Sequence, residues 1–178
     1  MINLIQTAIP SGVLILQILV AFFIVSLFFR HSWGKPIVHF LSRWAIQLGI
    51  VLSIIVVSGS LFYSNFMGYE PCVLCWWQRI ALYPLLPIFV LAHLNNDRKV
   101  FRYVFPLAIL ALVISIYQTY ITFGGEPLVD CSLEDNCSKL YVLAYGYITI
   151  PMMVTTASMA FLALYLAEKL VRKEENKD

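Results

Sequence analysis

The sequence predicts an all-α integral membrane protein with five spans, and three observations carry that prediction. Of its 178 residues 61% are apolar and only 12% charged, with a mean hydropathy of +0.82. Soluble domains carry roughly 25% charged and about 45–50% apolar residues. Five apolar stretches each come close to the roughly 20 residues that an α-helical span requires. Ten of the twelve Lys and Arg residues fall in three alternate connecting segments. This composition excludes a disordered chain and a soluble domain. The formal charge of +2 gives no reason to expect a nucleic acid partner, and none is expected.

The first span covers residues 9–29. Residues 1–8 carry no charge, whereas a cleaved signal peptide has a basic leading region, so this span reads as retained. Pro10 sits near its start, where a missing N–H costs little. Residues 35–43, flanked by Trp33 and Trp44 and containing His39 and Phe40, read either as an interfacial helix or as a plain basic loop. The second span covers 44–63. The third, 73–94, contains Arg79 and is interrupted by Pro84 and Pro87, which predicts a kink. The fourth covers 104–123. The fifth, 147–167, has Pro151 near its start and a charged tail, 169–178, behind it.

Basic residues near span ends are retained in the cytoplasm. Arg30, Lys35 and Arg43 follow span one; Arg98, Lys99 and Arg102 follow span three; Lys169, Arg172, Lys173 and Lys177 follow span five. Only Arg79 and Lys139 fall on the opposite side. The expected orientation is N-terminus outside and C-terminus in the cytoplasm. His31, His39 and His93 then lie on the cytoplasmic side, and no metal site is expected among them.

All four cysteines, Cys72, Cys75, Cys131 and Cys137, fall on the extracytoplasmic side, where disulfides persist. The spacings C-x2-C and C-x5-C suggest two bridges, though four cysteines allow three pairings. As structural staples such bridges would add little: loops this short contribute roughly 2 kcal/mol by chain entropy, before strain is subtracted. Short exposed bridges are more often exchangeable. Zinc ribbons use two C-x2-C pairs about 15–20 residues apart, a spacing absent here. Haem attachment requires His after C-x-x-C, and Trp76 stands there.

The stretch Glu70-Pro71-Cys72-Val73-Leu74-Cys75 suits redox chemistry. Pro71 fits a first helical position, which would put both cysteines in the opening turn, where the helix dipole and free N–H groups favour a thiolate. Arg79 lies four residues beyond Cys75 and so shares its face. It can support a thiolate or donate to a carbonyl oxygen; the alternative is a side chain that reaches for the interface. The segment Gly124-Gly125-Glu126-Pro127, followed by Asp130-Cys131-Ser132-Leu133-Glu134-Asp135-Asn136-Cys137, has the composition of an exposed acidic loop.

These residues resemble the DsbB family of membrane thiol:quinone oxidoreductases, especially its shorter BdbC-type members. The strongest local match is Pro71-Cys72-Val73-Leu74-Cys75-Trp76-Trp77-Gln78-Arg79-Ile80-Ala81-Leu82-Tyr83-Pro84. Tyr117-Gln118-Thr119-Tyr120, the Cys131/Cys137 loop and Gly146-Tyr147-Ile148-Thr149-Ile150-Pro151 support it. The resemblance covers 44–168 and implies a four-helix membrane bundle. It leaves 1–43 as an additional N-terminal helix with a basic loop, and 169–178 as a cytoplasmic tail. Two features depart from the family pattern: the extra span, to which no chemistry is assigned, and the close spacing of Cys131 and Cys137.

The resemblance implies an enzyme of the bacterial cytoplasmic (inner) membrane with its cysteine loops facing the periplasm or cell exterior. A reduced DsbA-like or BdbD-like thioredoxin-fold partner would attack Cys131. Cys137 would exchange with Cys72, and Cys75 would be freed beside a quinone, ubiquinone or menaquinone, with Arg79 holding the quinone oxygen. DsbA-type partners are strong oxidants, near about −120 mV, so their regenerator needs a better electron sink. Gln118 and Tyr120 would line the quinone pocket or make a buried helix contact. A vitamin K epoxide reductase type would place its loop pair before the C-x-x-C, the reverse of the order here. A membrane scaffold with inert bridges would be untouched by cysteine substitution. An outward electron carrier would want cysteines within its spans, facing both sides.

Overall fold

The computed structural model describes residues 2–28, 34–126 and 139–175. Six helices follow in order: α1 (Ile2–Phe28), α2 (Lys35–Leu61), α3 (Val73–Leu82), α4 (Leu85–Leu94), α5 (Phe101–Thr122) and α6 (Ile150–Glu175). A π-helical turn, Phe62–Phe66, extends α2, and a 3-10 turn, Arg98–Val100, leads into α5. No strand occurs among the described residues, which carry a single β-bridge between Ala144 and Ile148. Because α3 and α4 together make one span, five stretches are long and apolar enough to cross a membrane. Many of the large apolar side chains face outward, Ile15, Phe22, Ile55, Trp76 and Val113 among them, as lipid-facing surfaces require.

The third span breaks at Pro84, one of the two prolines expected to interrupt it, while Pro87 lies within α4. The chain turns at Tyr83 and Pro84 between α3 and α4, because proline supplies no N–H and its ring crowds the preceding turn. Residues 35–43 are a correction. They form no loop and no separate helix, but the first turns of α2 itself. Pro36 stands at the helix start, and Val38, Ser42, Ala45, Gly49 and Ser53 form one buried stripe through the boundary assumed at residue 44. Val38 packs with Phe23, Ala163, Ala167 and Val171, so burial holds the segment helical. The last span likewise runs on to Glu175 and begins at Ile150, after a turn in which Tyr145 and Gly146 both adopt positive φ.

Small residues set the packing. Ala45, Ala81, Ala92, Ala108 and Ala111 are buried with Phe89, Phe101 and Phe161 in the main core, as in membrane bundles, where close backbone approach replaces the hydrophobic drive. Phe89 stacks on Phe161 at 5.9 Å between ring centroids. This core extends from Leu82 of α3 to Phe101 at the start of α5 and Leu164 of α6, toward the end of the bundle remote from Cys72 and Cys75. At that far end Glu168 is buried, accepting from Ser42 Oγ at 2.6 Å and from Arg98 Nη1 at 3.0 Å. His39 approaches Glu174 at 3.2 Å nearby. His31, Arg30 and Lys177 lie outside the described residues.

Candidate functional site

The site is assembled at the other end of the bundle, where α3 begins and α5 ends. Cys72 is the N-cap of α3 in extended conformation, and its carbonyl accepts the first helical bond from Trp76 N at 3.1 Å. Pro71 therefore stands just before the cap rather than inside the helix, two positions earlier than its sequence role suggested. Cys75 occupies the first turn. One turn of helix brings the two sulfurs to 3.3 Å. Cys72, 8% exposed, is the more buried of the two.

A pair of glutamines holds the sulfurs. Gln118 on α5 donates from Nε2 to Cys72 Sγ and to Cys75 Sγ, both at 3.3 Å. Its Oε1 accepts from Gln78 Nε2 at 2.8 Å. Both amides are 4% exposed. Gln78 thus fixes which way the Gln118 amide faces, and the donating end points at sulfur. Gln118 is the buried interhelical contact that one of its two readings expected, and it also borders the cavity at the cysteines. Tyr120 fits neither, being exposed on the outer surface of α5. Gln78 carried no expectation of its own, although an amide within an apolar helix is a signal for a buried polar partner.

Arg79 faces the same cavity as Cys75, as its spacing predicted. Its guanidinium is anchored on α2: Nε donates to Ser60 Oγ at 3.1 Å and Nη2 to the Ser60 carbonyl at 3.4 Å. Tyr83 Oη donates to the same Ser60 Oγ at 3.1 Å. The guanidinium also lies 5.3 Å from the Trp76 ring centroid. The described polar partner of Arg79 is therefore serine, and neither cysteine sulfur. Cys131 and Cys137 lie outside the described residues, as do Pro127 and the acidic residues between them. Where the chain resumes, Lys139 lies 4.9 Å from the Tyr141 ring centroid. Tyr141 stacks on Tyr69 at 4.7 Å beside Glu70.

These groups surround a cavity of about 170 Å³. One end is polar, with Cys72, Cys75, Gln118, Arg79, Tyr83 and Ser60. Most of the rest is apolar, including Val13 of α1, Leu52 and Val56 of α2 and Val154 of α6, with Glu70 and Lys139 also in the lining. Tyr63 also borders it. The Tyr63 hydroxyl is buried and has no hydrogen-bond partner among the described residues. Leaving such a group unmet costs about 1–3 kcal/mol. The lining is thus largely apolar, with two sulfurs and a guanidinium among its polar groups.

Comparison with known proteins places these features in a group. Residues 42–171 match the family described as Disulfide bond formation protein DsbB. The chain is 35% identical over 128 residues to Disulfide bond formation protein C of Bacillus subtilis (strain 168), which covers 71% of this chain and 91% of that one. It is 33% identical over 140 residues to Probable disulfide formation protein C 2 of Bacillus anthracis, covering 78% and 95%. Probable disulfide formation protein of Chlamydia pneumoniae is 32% identical over 136 residues, covering 76% and 98%. No solved structure matches the chain. The family match begins inside α2 and leaves α1 outside it.

Proposed function

The chain belongs to the DsbB family, and from that membership we propose that it is a membrane oxidoreductase that makes disulfides by passing electrons from a protein dithiol to quinone. The reading is carried by one observation: two sulfurs, held by a buried amide, border a largely apolar cavity. The donor of electrons is a thioredoxin-fold partner of DsbA-like or BdbD-like kind. The acceptor is ubiquinone or menaquinone. The protein sits in the bacterial cytoplasmic membrane with its cysteine loops outside and its C-terminus inside, and 44–168 form its working bundle.

In this reading a thiolate of the partner attacks the Cys131–Cys137 disulfide at Cys131, forming a mixed disulfide and releasing Cys137. The partner's second thiol resolves the mixed disulfide and leaves as a disulfide. Cys137 attacks the Cys72–Cys75 disulfide at Cys72, and Cys75 is released as a thiolate. Cys131 then displaces Cys72, which restores the loop disulfide. Gln118 keeps a donor on both sulfurs throughout, and hydrogen bonds to a charged acceptor are the stronger kind. An arginine carries five N–H donors, so Arg79 can hold Ser60 and still meet an oxygen in the cavity. Bound quinone supplies the two-electron sink. The balance is one partner dithiol to one disulfide and one quinone to one quinol, with two electrons and two protons transferred.

The test is anaerobic quinone reduction by the purified protein supplied with a reduced DsbA-like dithiol. Stoichiometric quinol is expected from the wild type and none from Cys75→Ser. Absence of quinol from the wild type with both quinones, even with dithiothreitol as direct reductant, would return the cysteines to structural staples.

A further inference from the structure

We infer that α1, the helix outside the family match, is a wall of the quinone cavity and selects the tail of the quinone that enters. The inference rests on the reading of that cavity given above, and concerns residues to which the family match assigns nothing. Ile9, Val13 and Leu16 border the cavity. Their spacing of four and three residues puts them on one face of α1. Opposite them stand Leu52 and Val56 of α2 and Val154 of α6.

The rotation of α1 is fixed by polar bonds, where a mere anchor would need none. Gln17 donates from Nε2 to Thr156 Oγ1 at 3.0 Å and accepts from Tyr147 Oη at 2.7 Å. Ser11 Oγ and Tyr145 Oη lie 2.8 Å apart. Within a membrane such bonds act as glue between helices. Pro10 and Phe23 are buried along the same side, while Ile15, Ile18, Leu19 and Phe22 face outward. Gln17 directly follows Leu16, so a turn of α1 that moved Leu16 off the cavity would break both of its hydrogen bonds.

The position of this wall says which part of a ligand it meets. Polar groups lie on α3, on α5 and at the end of α2, whereas Val13 and Leu16 face the apolar part of the cavity. Cavity-lining residues of α2 run from Leu52 to Ser64, about 18 Å along the helix axis at the usual rise. A head group at the sulfurs would therefore direct its isoprenoid tail along α1, α2 and α6.

The experiment uses the full chain. Val13→Trp and Leu16→Trp fill the wall, and Ile18→Trp, at a position 61% exposed, adds the same bulk on the outer face. The KM for a long-tailed quinone should rise about tenfold in the first two, equivalent to losing burial of about two methylene groups. A short-tailed quinone should be affected far less, and Ile18→Trp should match the wild type. A second readout needs no variant. Wild-type protein is photolabelled with a ubiquinone analogue carrying a diazirine on its tail, and label is expected on peptides containing residues 9–16. Label confined to α2–α6, or equal KM in all three tryptophan variants, overturns the inference while leaving quinone reduction intact. Failure of the wild type to reduce quinone under dithiothreitol overturns the underlying reading instead.

Discussion

Gln118 is the residue on which the geometry of the sulfur pair depends, and its neighbourhood makes its removal costly in two ways. Gln118→Leu takes a donor from both sulfurs and leaves the Gln78 amide buried without its acceptor. The second effect alone costs about 1–3 kcal/mol, so the melting temperature should fall. Dithiothreitol-driven quinone reduction should fall about tenfold, as for a charge-assisted bond worth about 1.5–3 kcal/mol. An unchanged rate at lowered stability would reduce Gln118 to packing. Tyr63→Phe asks the complementary question, because its hydroxyl has no described partner to lose. Stability should hold or rise, because a buried hydroxyl without a partner is removed, and thermal unfolding in detergent checks it. A melting temperature clearly below that of the wild type would show that the hydroxyl has a partner after all. Cys72, Cys75 and Arg79 were legible in the sequence, since their spacing along one helix is local. The Gln118 bonds to sulfur were not, because they depend on the register of α5 against α3. A hydroxyl left without a partner is likewise visible only once its surroundings are packed.

At the scale of the helix, the packing of α2 on α4 turns on one absent side chain. A Cβ placed on Gly49 would meet Phe89 Cε1 at 2.5 Å. Phe89 is itself fully buried, against Phe101 and Phe161, and has no room to yield. Gly49→Ala should therefore destabilise by about 1–3 kcal/mol through overpacking, despite the better helix propensity of alanine. Gly59→Ala on the same helix meets nothing within 4 Å and should be neutral or slightly stabilising. Thermal unfolding of the two variants in detergent checks the pair, and equal melting temperatures would show that α4 can shift. The break at Pro84 was readable because proline acts on its own neighbours. The start of α2 was misread for the opposite reason. Lys35, His39 and Arg43 look like loop or interface, yet the alternate face, Val38 and Ser42, is buried against other helices. Hydropathy averages both faces and hides the stripe.

At the scale of the molecule, the fold gathers the charges that the sequence lists separately. Lys35 and Arg43 at the start of α2, Arg98, Lys99 and Arg102 at the α4–α5 junction, and Lys169, Arg172 and Lys173 on the last turns of α6 share one end of the bundle. Arg79 and Lys139 belong to the cavity at the other. Such segregation is what retention of basic residues in the cytoplasm produces, and Glu168 holds that end together by binding Ser42 of α2 and Arg98 of the α5 entry. The five spans were legible because hydropathy is a sum along the chain, whereas this crosslink joins residues 126 apart. The orientation can be measured directly. A reporter that matures only in the cytoplasm, fused after Asp178, should be active. In intact cells a membrane-impermeant maleimide should label a reduced variant that keeps Cys131 as its sole cysteine. Silent reporter and protected thiol together would invert the protein, and the dithiol oxidation proposed for it would then face the wrong compartment for making disulfides in exported proteins.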